Sequence, residues 1–144
     1  MIKIIAFDLD DTLWHVDPVI IRAEQILKDW FIEHVPGFPY DMHYMSQFRK
    51  QVLADEPQLV GRLTEFRRRV IEKALINHGR EDSTKIAADA MRVFLTARNQ
   101  VEFFDGTLET LGTIAGNYQL GAITNGNADI FQLGLDRYFS FAFC

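Results

Sequence analysis

Cysteine is nearly absent from this chain: of 144 residues only Cys144 carries a thiol. One thiol forms neither an internal disulfide nor a thiolate metal cluster. A stapled scaffold and a zinc-thiolate domain are thereby excluded. Long apolar runs are lacking too, so no segment is expected to span a bilayer. A signal-peptide layout is missing, because the first residues already read as a strand. Positive charge is in deficit. Fifteen basic residues face twenty acidic ones, for a net charge of −5, which argues against a broad electrostatic interaction with nucleic acid or a membrane surface. There are no repeats and no low-complexity segments. The expectation is a cytoplasmic protein. Apolar residues make up 48% of the chain, ample for a core, and the length suits one ordinary domain.

The chain is organised around residues 7–13, Phe-Asp-Leu-Asp-Asp-Thr-Leu. They follow Ile2-Lys3-Ile4-Ile5-Ala6, an apolar run of the kind found in parallel sheets covered on both faces. Three acids, Asp8, Asp10 and Asp11, crowd the end of that strand. Ligands of open α/β sheets bind at the carboxyl ends of strands. Clustered carboxylates are costly there unless a cation, a proton or several N–H donors compensate. A carboxylate so placed can attack phosphorus. A second carboxyl group two residues on can protonate the leaving oxygen and then activate water. Mg²⁺ would suit the oxygen donors. The alternative is an Asx-rich turn that only caps the strand.

Beyond Thr12 comes His15, most simply a solvent-facing loop residue. Asp17-Pro18 is a helix start. Four amphipathic helices are expected between residues 16 and 100. The first carries Val19, Ala23, Leu27 and Phe31. The second follows Asp41, the third runs over about 57–77 and stops at Gly79, and the fourth follows Asp82 or Ser83. Such helices form a small bundle. Arg67 falls within the apolar stripe of the third helix, where a charge needs a partner. Either it faces the cleft and meets substrate, or its stem packs while its head reaches water or an acid. The α/β pattern resumes after Val101. A short helix over Leu108, Leu111 and Ile114 precedes a strand at 120–123, which ends in Thr124-Asn125-Gly126-Asn127. A hydroxyl and turn N–H groups at a strand end can hold phosphate oxygens. A helix over 128–135 and a third strand over 139–143 complete the pattern.

Asp8-Leu9-Asp10-Asp11-Thr12 resembles the first motif of the haloacid dehalogenase-like (HAD) hydrolases, and Thr124-Asn125-Gly126-Asn127 resembles their second. The resemblance implies an α/β fold. Its Rossmann-like parallel-sheet core, incomplete at about three strands, comprises residues 1–15 and 101–144, with an all-helical cap inserted at 16–100. It implies Asp8 as nucleophile and Asp10 as general acid/base, and a Mg²⁺ ion bound by the Asp8 carboxylate and the Asp10 backbone carbonyl. Thr12 would hold the loop in shape. Thr124 would bind phosphate, with Asn125 contributing a backbone contact. The substrate would be a small phosphorylated metabolite. The true dehalogenases of the family lack the second Asp, so Asp10 argues for phosphoryl transfer. Residues 7–14, 64–75 and 122–128 are similar to bacterial phosphatases of phosphorylated flavin precursors. A non-catalytic binding module on the same scaffold, a dehalogenase and a phosphonate hydrolase are the competing readings.

The family has two further motifs, a lysine and a group of metal-binding acids, which follow a strand like that at 139–143. The chain reaches Cys144 before either. The expectation is a truncated piece with little activity of its own. One edge of its first strand would lack a partner, and an open apolar edge invites pairing with another chain. Self-association is therefore expected. A clean monomer in light scattering at high concentration would contradict it.

Overall fold

The computed structural model describes residues 2–143. Its elements run β1 (Ile4–Phe7), α1 (Val16–His34), α2 (Met42–Asp55), α3 (Leu63–Asn77), α4 (Ser83–Arg98), α5 (Thr107–Ala115), β2 (Gln119–Ile123) and β3 (Phe139–Phe143). They divide into two compact units. One holds the residues up to Arg22 and from Thr96 onward; the other holds Ala23–Leu95.

The first unit is the α/β one. Its sheet has the order β1-β2-β3, with all strands parallel. Ile5 lies beside Leu120 and Phe7 beside Ala122 in the β1–β2 register. Side chains alternate across a sheet, and these four point to the side where the core lies. Leu9, Trp14, Leu111, Leu120, Leu135 and Phe139 are buried there, with Ile5, Phe7, Leu108 and Ile114 packed against them. Among the described residues β1 pairs only with β2, which leaves its other edge open. On the opposite face Ile4, Ile123 and Phe143 stay exposed.

Both long boundary helices, α1 and α4, change unit part-way along. Arg22, in the second turn of α1, lies on the α/β side of that division. Its Nη2 donates to the carbonyls of Ala97, at 3.4 Å, and of Gln100. The expected boundaries at 15/16 and 100/101 lie outside these helices; the observed ones lie within them.

The second unit is helical. Phe31, Phe48, Val52, Val70, Ile71, Leu75, Ala87 and Phe94 are buried in it. Asp41 caps α2, its Oδ1 accepting from Tyr44 N at 2.8 Å. The expected third helix over 57–77 is two pieces. Pro57–Leu59 form one turn of 3₁₀ helix, and α3 starts only at Leu63. Gly61 breaks the run, with φ at +85°, a conformation that a helix cannot pass through. The end of α3 is as the sequence indicates. Gly79 has φ +82°, and Arg80 N donates to Leu75 O at 3.0 Å, the six-to-one bond that closes a helix on a left-handed glycine.

Glu72 lies buried on α3 and accepts from Thr84, Arg68 and Arg69. Burial pushes its carboxyl up, but the Thr84 hydroxyl and the two guanidinium groups outweigh this and hold it below the usual range. A carboxyl with a lowered folded pKa adds stability above its unfolded value, about 4.3, and loses it as pH falls through the folded value. The melting temperature is thus expected to decline below about pH 4. Glu72→Gln should flatten that decline and cost about 1–3 kcal/mol at neutral pH. An unchanged acid slope in the variant, measured by calorimetry, would contradict this.

Candidate active site

Parallel pairing of β1 with β2 sends both following loops out at the same sheet edge. The loop after β1 is pinned by Leu9, fully buried in the core. Its carbonyl accepts from Thr12 N at 3.1 Å and Leu13 N at 2.9 Å. With Leu9 inward, Asp8 is exposed and Asp10 is half-buried. Thr12 sits in the turn itself. Asp11 takes the left-handed conformation, φ +58°, which Asp tolerates better than most residues. Its Oδ1 accepts from Val16 N at 2.9 Å and so satisfies an end group of α1. Asp11 is thereby part of the structure of the loop itself. It also places the start of α1 ahead of the expected Asp17-Pro18 start. His15 is exposed, its ring edge-on to Phe104.

Asp10 has partners that its sequence context did not suggest. Trp14, fully buried, donates its indole N–H to Asp10 Oδ1 at 2.9 Å. Arg98, at the end of α4 and 1% exposed, donates from Nη2 to Asp10 Oδ2. Its Nε donates to Asn127 Oδ1 at 2.7 Å. Asn127 belongs to the second loop, so one guanidinium spans both.

Thr124 is buried. Its backbone N–H donates to Phe143 O at 2.9 Å, and its Oγ1 accepts from Gly126 N at 3.0 Å. A hydroxyl that accepts one bond can still donate its own hydrogen. Asn125 is exposed at the tip of this turn. Gly126 lies at the crossing of the two loops. A Cβ on it would sit 2.6 Å from Asp10 Oδ2 and 3.4 Å from both Arg98 Nη2 and Thr124 Oγ1. The two acidic and turn motifs thus meet, with bare glycine backbone between them.

The helix expected at 128–135 is not formed. Asp129 Oδ1 accepts from Phe131 N, and Leu133 N donates to Asp129 O, but Gly134 turns left-handed at φ +68°. Leu135 N then closes onto Ile130 O at 2.8 Å, so the segment is a single turn.

Arg67 belongs to the helical unit. Its guanidinium hydrogen-bonds Glu24 and lies 4.0 Å above the centre of the Phe94 ring. Tyr40 donates to the same Glu24 at 2.9 Å. Of the two expectations for Arg67, this arrangement is the packed stem with its head on an acid.

Among the described residues no three His, Cys, Asp or Glu side chains converge on a common point. Trp14 and Arg98 each use one lone pair of an Asp10 carboxylate oxygen and leave it another; the family resemblance implies that Asp10 offers a cation its main-chain carbonyl. The Asp8 carboxylate is exposed beside it in sequence. Two hard oxygen donors fit Mg²⁺, which commonly takes one or two protein oxygens and completes its shell with water and phosphate.

A model of the haloacid dehalogenase-like hydrolases matches residues 2–144. The chain belongs to the haloacid dehalogenase-like hydrolase family. It is 34% identical to the 5-amino-6-(5-phospho-D-ribitylamino)uracil phosphatase YigB of Escherichia coli (strain K12), over 97% of this chain and 60% of that protein. It is 41% identical to a structure described as 2-haloacid dehalogenase from Pseudomonas syringae pv. Tomato DC3000, with a TM-score of 0.95 over all of this chain and 64% of that one. The HAD-hydrolase YfnB of Bacillus subtilis, bound to magnesium, shares the fold at 17% identity and a TM-score of 0.52, over 99% of this chain and 63% of that one. The chain therefore spans less than two thirds of the length of these relatives. No helix among the described residues is long and apolar enough to cross a membrane.

Proposed function

We propose that the protein to which this chain belongs is a Mg²⁺-dependent phosphomonoester hydrolase working through an aspartyl-phosphate on Asp8. The observation that carries the reading is the meeting of the loops at Gly126. A carboxylate from the first and a hydroxyl from the second lie in contact range of one point at the sheet edge. Asp8, exposed at the end of β1, attacks phosphorus. The ester P–O bond breaks, and Asp10 gives its proton to the leaving oxygen. Water then attacks the same phosphorus, and Asp10 takes a proton from it. The acyl P–O bond breaks and the Asp8 carboxylate returns. The Thr124 hydroxyl and the Asn125 backbone N–H hold the non-bridging oxygens. Mg²⁺, held by the Asp8 carboxylate and the Asp10 carbonyl, would neutralise part of the phosphate charge. Arg67, bonded to Glu24 and lying over Phe94 in the helical unit, is given no role in this reading.

The likeness to a phosphatase of 5-amino-6-(5-phospho-D-ribitylamino)uracil supports a phosphorylated flavin precursor as substrate. A cytoplasmic location belongs to the same reading and rests on composition. Self-association through the open edge of β1 is part of it too, with light scattering as its test. The second reading is carbon–halogen displacement, favoured by the likeness to a 2-haloacid dehalogenase. In it Asp8 would attack carbon, and Asp10 would have no leaving oxygen to protonate. The deciding experiment offers the natural protein small phosphomonoesters and 2-haloacids in parallel. Phosphate release that depends on Asp8 supports the first reading, and halide release would overturn it.

A further inference from the structure

Arg98 is costly where it lies. It is 1% exposed, and Asp10 is its ion-pair partner. Among the described residues its Nη1 is buried without a hydrogen-bond partner. Burying a guanidinium with an incomplete set of acceptors is a poor source of stability, and an apolar residue of similar volume often does as well or better. What an arginine offers here and an apolar side chain does not is a rigid fork. Nε and Nη2 point the same way along a planar group. One tine holds Asn127 Oδ1 at 2.7 Å and the other holds Asp10 Oδ2. Trp14 holds the remaining oxygen, Oδ1, at 2.9 Å. An Asp side chain has two torsions, and two donors of fixed direction define both. Trp14 is itself fixed, fully buried and edge-on to Phe103.

We infer that Arg98 is a positioning residue. Together with Trp14 it sets the orientation of the Asp10 carboxyl group, and through Asn127 it locks the Thr124–Asn127 turn to that orientation. Its action is on Asp10 and not on substrate. The kinetic part of this inference rests on the phosphoryl-transfer reading; the structural part does not.

The Trp14 indole reports Asp10 directly, and the chain has two tryptophans. The other, Trp30, stacks on His34 in the helical unit; Trp14→Phe removes, and so identifies, the Trp14 indole N–H signal in a ¹H–¹⁵N spectrum of the natural protein. Arg98→Gln and Arg98→Lys should both move the Trp14 signal upfield, the lysine because it lacks the fork. Turnover should fall about 10–100-fold, as a small misplacement of a reacting group does. KM should change by no more than about threefold, since binding is not what is lost. Added guanidinium should restore part of the turnover of Arg98→Ala. Should the Arg98 variants not fold, Asn127→Ala removes the Nε acceptor and leaves the guanidinium in place, and should shift the same signal and lower turnover in the same direction. A lowered melting temperature with an unmoved Trp14 signal and unchanged kcat would overturn the inference, since that is what a merely structural arginine gives. Full activity in Asp8→Asn would instead sink the assignment of Asp8 as nucleophile and leave the Arg98 result standing.

Discussion

Asp8→Asn should abolish phosphate release by the natural protein, with a fall on the order of 10⁴-fold or more, as found when a covalent nucleophile is removed from other enzymes. The change is nearly isosteric, and Asp8 is exposed, so the fold should be unaffected. An amide oxygen is a far weaker nucleophile than a carboxylate, and the acyl-phosphate cannot form. Stability is the control. A melting temperature equal to that of the parent, together with lost turnover, assigns the loss to chemistry. Asp10→Asn should behave differently. It removes the proton donor and also weakens the bond to Arg98, so it should cost both activity and stability. Full activity in Asp8→Asn would mean that another group attacks phosphorus.

The second large effect is expected at Gly126. An alanine Cβ there would lie 2.6 Å from Asp10 Oδ2, well inside van der Waals contact. Asp10 cannot simply swing aside, because Arg98 and Trp14 hold its oxygens. Either that grip breaks, or the turn opens and Thr124 loses the Gly126 N–H on its Oγ1. Overpacking of this kind costs about 1–3 kcal/mol. Displacing the proton donor by about 1 Å should lower turnover roughly 100-fold. Gly112→Ala is the matched control. Gly112 lies exposed inside α5, where a Cβ meets only Tyr138, at 3.6 Å. Alanine should stabilise that helix by about 0.5–1 kcal/mol and leave activity as it was. A Gly126→Ala protein with parental turnover would refute the crowding argument.

The architecture was largely legible in the sequence, because periodicity carries it. The apolar run before Asp8 is a strand, and the 3.6-residue stripes between residues 16 and 100 are helices. Periodicity misleads where one glycine overrules a stripe. Leu59 and Leu63 continue a helical spacing, yet Gly61 at φ +85° breaks it. Ile130 and Leu133 do likewise, until Gly134 turns the chain. At the site, the acids and Thr124 were legible because a strand end followed by carboxylates or a turn is a local pattern. Arg98 matches no such local pattern, but its spacing carries a signal. Met91, Phe94 and Arg98 are spaced as one face of a helix, so the arginine falls in an apolar stripe, as Arg67 does. Two such arginines met different partners. Arg67 found Glu24 and Phe94 within the helical unit, and Arg98 found Asp10, 88 positions away in sequence. Periodicity says that a buried charge needs a partner; only the fold says which. Trp14 gave no such sign, since an aromatic residue in a core is the ordinary case.

The most direct measurement of the central claim is to quench the natural protein in acid during turnover of a phosphomonoester and weigh its peptides. The account predicts that the peptide containing Asp8 carries one added phosphoryl group, and that this mass is absent in Asp8→Asn. Steady phosphate release with no adduct on that peptide, or an adduct on a different residue, would contradict it.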